Sequence, residues 1–450
     1  MSDMKQMKVV CGWFCMSRMI SVLLVLVLVV TSSSKAQHEI NFNYIDSLSL
    51  AAYEKGDWEN LIELSNRSIE LGFDYFYLQM RMGIACFSLG QYRKAAVHLE
   101  KALEFNSSDQ FARNLLRQSY EWGGMQMEAA WLEKRFDEDP ALIQWIRLYA
   151  GLSFSGSNEA SKQLDLDGNE NIYGEINRPG DFTYGSLGVV VAPGKGYRLG
   201  LNYSKLQLNN YQLFSLGELG SLSHKYNLIQ HQVSAVLPIR IKHGLYVLPE
   251  LDLLILHSEP KTVWFDTISN MYRSSIVSNS TQNYVAGLKF VRTLPASDIG
   301  LSLSRSNLNG KEQWQTSVIA AIYPFHNLNF YTYSRFYTLF EENQVRIHYK
   351  QLIGFKANRF LWLQVGIHFG KMENAADENA GLMYNTYGRV IYNAMASMIL
   401  VVNSNLNLQF DFNLLELKSP YITFNDLANY TVNSYNYKNI HLKGGLIWNL

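Results

Sequence analysis

The 450-residue chain is poor in the groups that most often carry chemistry. It has three cysteines, and Cys11 and Cys15 fall before or within a candidate export signal, which leaves Cys86. A disulfide framework within one mature chain and a cysteine-based metal cluster are therefore both excluded. Cys86 falls on the apolar face of a predicted helix and reads as a small packed side chain. Net charge is absent too: 39 basic residues balance 39 acidic ones, so no field draws the chain toward nucleic acid. Charged residues make up only 17%, which is low for a soluble surface. There is no HExxH zinc motif, no P-loop and no dinucleotide fingerprint. Beyond residue 30, Lys, Arg, Asn or Gln interrupts every long apolar run, which excludes helical membrane spans. Against nine prolines stand 28 tyrosines. Tyrosine and tryptophan suit a boundary between apolar and polar surroundings, which a membrane barrel has at both rims. A tyrosine-rich soluble β-protein is the plain alternative.

The N-terminus has the layout of a secretory signal. Lys5, Lys8 and Arg18 precede an apolar run from Met19 to Val30, and Ser34 and Ala36 stand three and one positions before a cut after Ala36. The run of about 12 residues is short for a bilayer span. An uncleaved anchor is the alternative, and Met16 and Met19 are alternative starts. No cysteine stands at the cleavage position to take a lipid.

Residues 37–139 read as paired helices. Gly56, Gly90 and Gly124 are spaced 34 residues apart, each in a turn before a second helix. Ala95 and Ala129 share that spacing. Gly83, Ala95 and Ala102 are small enough to let helix backbones approach, and Leu99 and Leu103 fill the space around them. The pattern resembles the tetratricopeptide repeat, with a strong middle unit and degenerate outer ones, Arg117 standing where Gly83 stands in the second. The resemblance implies a short solenoid with a protein-docking surface, for which Arg81, Gln110, Asn114 and Gln118 are the candidate residues. A structural plug or support for the C-terminal region is the other reading.

From residue 140 to 450 the period changes to two. Leu406, Leu408, Phe410, Phe412 and Leu414 alternate with Asn405, Asn407, Gln409, Asp411 and Asn413. Leu361, Leu363, Val365, Ile367 and Phe369 oppose Trp362, Gln364, Gly366, His368 and Gly370. In the last segment Ile440, Leu442, Leu446 and Trp448 oppose His441, Lys443 and Asn449. One apolar and one polar face is the signature of a barrel strand between lipid and a hydrated lumen. About fourteen strands are legible, with twelve or sixteen as the neighbouring counts. Long polar stretches (156–182, 208–225, 258–281, 372–385, 418–434) alternate with tight turns such as Pro193-Gly194-Lys195 and Pro324-Phe325-His326. That rhythm predicts long extracellular loops, short periplasmic turns, and both barrel termini on the side of the helical repeats.

The expected fold is thus multidomain α+β: a signal peptide over 1–36, tetratricopeptide-like helices over 37–139, and an antiparallel transmembrane β-barrel over 140–450. The last strand resembles the C-terminal signal of outer-membrane proteins, with Leu450 where an aromatic residue is usual and Trp448 two positions earlier. Repeats joined directly to an Asn- and Tyr-rich barrel resemble outer-membrane proteins of Bacteroidetes-type bacteria, including YaiO-like barrels. That resemblance bears on architecture and implies an outer-membrane location with the helices in the periplasm.

The search for chemistry returns little. His231, His368 and His441 fall on polar strand faces, but none adjoins a serine or aspartate in a catalytic pattern. The loop Asp165-Leu166-Asp167-Gly168-Asn169-Glu170-Asn171 offers oxygen ligands for a hard cation but has Glu170 where the calcium loop needs glycine. A polar surface turn is the simpler reading. The lumen is expected to be lined by Arg305, Arg335, Arg346, Asp252, Glu250 and Asp411, with Tyr333, Tyr337, Trp362 and Gln364, and to be narrow or occluded. No catalytic residue, cofactor or metal is expected. The expected function is a non-enzymatic component of an outer-membrane assembly or secretion complex, the barrel anchoring it and the repeats docking periplasmic or outer-membrane proteins. Barrel-assembly or secretion machinery is the partner candidate, beside the lipid bilayer and lipopolysaccharide. The alternative is a channel for small solutes or polysaccharide, with the repeats recruiting an export apparatus.

Overall fold

The computed structural model describes residues 41–449 apart from 137, 140, 158–172, 343, 378–382, 385–387 and 427–428. The signal segment, the candidate cation loop at 165–171 and the last residue lie outside the described residues. No described helix is long and apolar enough to cross a membrane.

Six helices come first: α1 (Phe42–Lys55), α2 (Trp58–Glu70), α3 (Phe76–Ser88), α4 (Tyr92–Phe105), α5 (Gln110–Trp122) and α6 (Gln126–Arg135). Local chemistry sets their ends. Asn41 caps α1 by accepting from the Tyr44 amide at 3.0 Å, and Asp109 caps α5 by accepting from Ala112 at 2.7 Å. The three evenly spaced glycines all adopt left-handed φ values, +68° at Gly56, +71° at Gly90 and +72° at Gly124. Only glycine takes that conformation without cost, so the spacing in the sequence is a spacing of turns.

The chain forms two compact units, divided after Ala85. In the first, Ile45, Leu61, Leu78 and Met82 are buried. In the second, Ala95 and Ala102 are fully buried and Leu99, Leu103 and Leu116 close around them. Burying one such leucine contributes about 1.5–3 kcal/mol.

The second unit also contains the strands: β1 (Ile143–Ser155), β2 (Tyr173–Val191), β3 (Leu199–Ser215), β4 (Ser221–Val236), a short β5 (Ile239–Lys242) and β6 (Leu245–Ser258). A projecting hairpin, β7 (Lys261–Asp266) and β8 (Met271–Ile276), leads to β9 (Asn279–Thr293), β10 (Ser297–Ser306), β11 (Gln313–Ile322), β12 (Phe330–Glu341), β13 (Gln344–Asn358) and β14 (Leu361–Met372). A two-residue pair, β15 (Ala375–Ala376) and β16 (Met383–Tyr384), precedes β17 (Arg389–Val401), β18 (Leu406–Phe424) and β19 (Tyr430–Asn449). Fourteen of these strands form a closed antiparallel barrel. β1 pairs with β19 from Trp145↔Asn449 to Ser155↔Asn439, and β4 with β6 from Leu228↔Ser258 to Val236↔Glu250. Closure leaves no wall strand without a neighbour on each side.

Alternation sets the two faces of the wall. Ile299, Leu301 and Leu303 of β10 and Phe410 and Phe412 of β18 point outward and are exposed. Such a continuous apolar exterior is stable against lipid rather than water, and the fold is that of a transmembrane barrel. Of the residues expected in the lumen, Arg305 does not belong there. The inward register of β10 runs through Ser302, Ser304 and Ser306, so Arg305 points out, pairs with Glu312 at 3.0 Å and lies near the outward ring of Trp314. His231 likewise points out, its Nδ1 2.8 Å from the Tyr203 hydroxyl.

Three of the expected long loops are corrected in whole or part to strand, the first because β2 already begins at Tyr173. β3 and β4 continue to Ser215 and from Ser221, joined by a 3-10 turn at Gly217–Leu219. β18 and β19 together occupy most of 418–434. Outward positions there include polar ones, as at Asn209, Ser223 and Lys225, so the apolar half of the alternation fades although pairing continues. β18 and β19 also form a roof. β17 last pairs with β18 at Lys418, and beyond it Tyr421–Phe424 pair instead with β2 at Ile176–Tyr173. Tyr421, Tyr435 and Tyr437 pack there with Leu415, Leu417 and Met372 in a buried cluster.

At the opposite rim α4 and α6 sit on the short turns. Arg93 donates to the carbonyls of Leu294 at 2.8 Å and Pro295 at 3.2 Å, and pairs with Asp298 at 2.5 Å. The Asn327 amide donates to Gly90 at 2.8 Å, and the Gly244 amide donates to Glu128 at 2.6 Å. Barrel turns and these helices thus share one rim, as the long–short rhythm predicts.

Candidate functional site

Among the described residues, two sizeable cavities lie on the inward face. The larger, about 1090 Å³, lies at the long-loop end and is lined by polar groups such as Asn210, Gln212, Lys261, Glu373, Asn374 and Arg389. The second, about 280 Å³, lies deeper and mixes Phe182, Leu206, Leu352 and Met395 with Lys350, Asp377, Asp411 and Lys443. Leu228 and Leu256 line both.

A strap of chain borders both. The chain leaving β14 turns inward, so that Glu373 and Asn374 face the outer cavity and Asp377 the inner one. Wall side chains stitch it down. Gln313 donates to the Asn374 carbonyl, Gln315 donates to the Ala376 carbonyl at 2.8 Å, and Asn309 donates to the Asn374 side chain at 2.6 Å. Backbone groups so far from a sheet edge need such partners, since an unmet buried carbonyl costs about 1–3 kcal/mol.

Asp377 faces the inner cavity. Its carboxylate accepts from Lys350 Nζ at 2.6 Å and from the Tyr337 hydroxyl at 2.6 Å, and His368 Nδ1 is 4.0 Å away. His368 Nε2 and His348 Nδ1 share a hydrogen bond of 2.7 Å, and the Tyr337 ring stacks on His348 at 4.2 Å. Arg335 lies 4.5 Å from that ring and donates to Ser317 at 2.8 Å. A second group lies nearer the outer cavity: Glu341 pairs with Arg346 and with Lys311 at 2.9 Å. On the opposite wall Asp411 pairs with Lys443 at 3.2 Å. Each of these carboxylates has its own cation.

Sequence reasoning found Arg335, Arg346, Tyr337, Gln364, His368 and Asp411 in the lumen by alternation alone. It missed Asp377, which lies in a stretch read as extracellular loop, and no local signal marks it. The docking candidates divide. Gln110, Asn114 and Gln118 form one exposed stripe on α5, at helical spacing. Arg81 is only 9% exposed, its guanidinium 2.7 Å from Asp46 and 2.7 Å from the Ser49 hydroxyl.

A further cluster, Glu100, Glu128 and His243, joins α4 and α6 to the turn before β6 and offers three ligand atoms within 4.8 Å. Its positive charge is supplied by Arg240, whose Nη2 is 3.1 Å from Glu128 and 3.1 Å from His243 Nδ1. The group is a clamp of ion pairs. His243 Nε2 lies 3.1 Å from Glu100, and that hydrogen bond, with the charges of Glu100 and Glu128, raises the imidazole pKa against the opposing effects of burial and Arg240. Burial pushes the Cys86 thiol up to about 11, which fits a packed, unreactive side chain.

No protein-family model and no curated protein matches the chain. Solved structures of similar fold do. The toluene transporter TodX of Pseudomonas putida superposes with a TM-score of 0.46 at 8% identity, covering 69% of this chain and 91% of that one. The toluene transporter TbuX of Ralstonia pickettii gives 0.44 at 8%, covering 69% and 90%. A FadL homologue of Pseudomonas aeruginosa gives 0.44 at 7%, covering 68% and 90%. These neighbours are outer-membrane barrels, and TodX and TbuX are transporters. The expectation of a docking component for an assembly or secretion complex is corrected. Geometry supplies the physical reason: a barrel serving only as an anchor needs no pair of cavities along its interior, and α4 and α6 bind the barrel's own turns.

Proposed function

We propose that the protein is a non-enzymatic channel of the bacterial outer membrane for small solutes, held closed by the strap. The observation that carries this reading is the pair of cavities in series inside a closed, lipid-faced barrel. The inner cavity of about 280 Å³ suits a small solute better than a polysaccharide chain. Its lining, apolar on one flank and hydrogen-bonding on the other, suits an amphipathic one. Helices α4 to α6 take the periplasmic side, and the 34-residue glycine spacing supports a tetratricopeptide-like arrangement. The stripe of Gln110, Asn114 and Gln118 is where a periplasmic partner would dock, while Arg81 serves the helix core.

Proteoliposome swelling tests the channel. With residues 373–388 replaced by a short Gly-Ser link, vesicles in isosmotic glycine or arabinose should swell several-fold faster than protein-free vesicles. Swelling at the protein-free rate, from a barrel that migrates as folded on unheated gels, would remove the reading.

A further inference from the structure

We propose that the lumen holds a binding site for small carboxylates, and that Asp377 of the strap is its resident occupant in the closed state. The inference rests on the channel reading above and names what would pass.

The donors belong to the wall and the acceptor belongs to the strap. Lys350 comes from β13, Tyr337 from β12 and His368 from β14, three neighbouring strands of the barrel. Lys350 Nζ and the Tyr337 hydroxyl each reach the Asp377 carboxylate at 2.6 Å, a two-donor grip suited to a carboxylate. Without Asp377, the wall would keep Lys350 and Arg335 around Tyr337 and the two histidines. Asp252 and Glu250 face the same region from β6. Glu341 is already matched by Arg346 and Lys311. A lysine left in that place without an anion is costly, so the position demands a carboxylate from some source.

The strap supplies it on a releasable tether. The segment 373–377 is fastened by side chains rather than by a ladder to the wall, and Asp377 opens directly onto the inner cavity. A solute carboxylate arriving at Lys350 exchanges one anion for another, so the charge of the site does not change. Leu206, Leu352 and Met395 beside it would receive a short aliphatic or aromatic remainder. Exchange frees the strap and joins the two cavities, so the solute that fits is also the one that opens the path.

The test uses the full-length protein in planar bilayers, in potassium chloride and in potassium butyrate at equal ionic strength. The wild type should conduct at least tenfold more per inserted protein in butyrate. Asp377→Asn should conduct in both salts. Lys350→Met should lose the gain from butyrate, and Tyr337→Phe should reduce it, which covers a failure of the lysine variant to fold. Equal wild-type conductance in the two salts, while the barrel with 373–388 replaced conducts, overturns the carboxylate site and leaves the channel. No conductance from the replaced barrel overturns both.

Discussion

Arg93 and Lys350 are both enclosed cations paired with aspartate, and they do opposite work. Arg93, at the short-turn rim, holds Asp298 at 2.5 Å, the carbonyls of Leu294, Pro295 and Gly123, and the Tyr323 ring at 4.1 Å. Its donors have fixed partners, on a turn braced by two strands and at the end of α5. Lys350, in the lumen, holds an aspartate carried by a strap that makes no ladder with the wall. The first pair can separate only by disturbing the barrel turns. The second can separate by moving a few residues. A buried ion pair does not tell by itself whether a contact is permanent; the stiffness of what carries each partner does.

The difference can be broken most forcefully at the rim. Arg93→Ala leaves Asp298 and three carbonyls short of their partner, a cost of about 3–5 kcal/mol. Limited proteolysis between residues 90 and 136 should then accelerate at least about a hundredfold. Asp377→Asn, in the same assay, should leave the helices as protected as in the wild type; coupled loss would join the two regions that the comparison separates. Gly124→Val comes next. It forces a β-branched residue to a φ of +72°, and its Cβ would meet Leu328 at 2.9 Å. A cost of about 1–3 kcal/mol should appear as faster cleavage at the same rim. Asp109→Ala removes the cap of α5 and should cost about 1 kcal/mol, read as roughly fivefold faster hydrogen exchange at Ala112.

The smallest effect is electrostatic. His243 is held above its ordinary pKa chiefly by its hydrogen bond to Glu100. A raised folded value means that its contribution is fully present below the unfolded value of about 6.5 and fades as pH rises through the folded one. Since His243 is half exposed, helix protection should change less than about fivefold between pH 6 and pH 8.5. An NMR titration should place the imidazole pKa above that of a free histidine, and Glu100→Gln should lower it. An unchanged titration in that variant would show that Glu100 is not its partner.

Most of the barrel was legible because alternation is a local rule. Any segment such as 405–415 declares its two faces without reference to its neighbours. The helical turns were legible for a similar reason, as a left-handed φ favours glycine and all three turns use it. What was not legible depends on depth in the membrane and on contacts far apart in the chain. Above the apolar band the outward residues turn polar, so β3, β4, β18 and β19 look like loops in sequence. Arg305 was misplaced because its neighbours Ser304 and Ser306 look no more lumenal than it does; only the ladder shows which of them points inward. Asp377 meets Tyr337 across 40 positions and Lys350 across 27. Nothing near Asp377 in the chain distinguishes it from an ordinary loop aspartate.

The seating of α4 and α6 has a consequence for how the molecule is made. Arg93 reaches its carbonyl partner 201 positions further along the chain. The helices leave the ribosome before any strand, yet their seat exists only after the turn between β9 and β10 has formed. Until then the Arg93 guanidinium and the Glu128 carboxylate have no place to go. Such distant pairings form slowly, because the intervening chain must be ordered first. The helical segment therefore reports on the barrel's progress: it becomes protected only once the middle strands are in place, and an unfinished barrel displays loose helices that a protease can find.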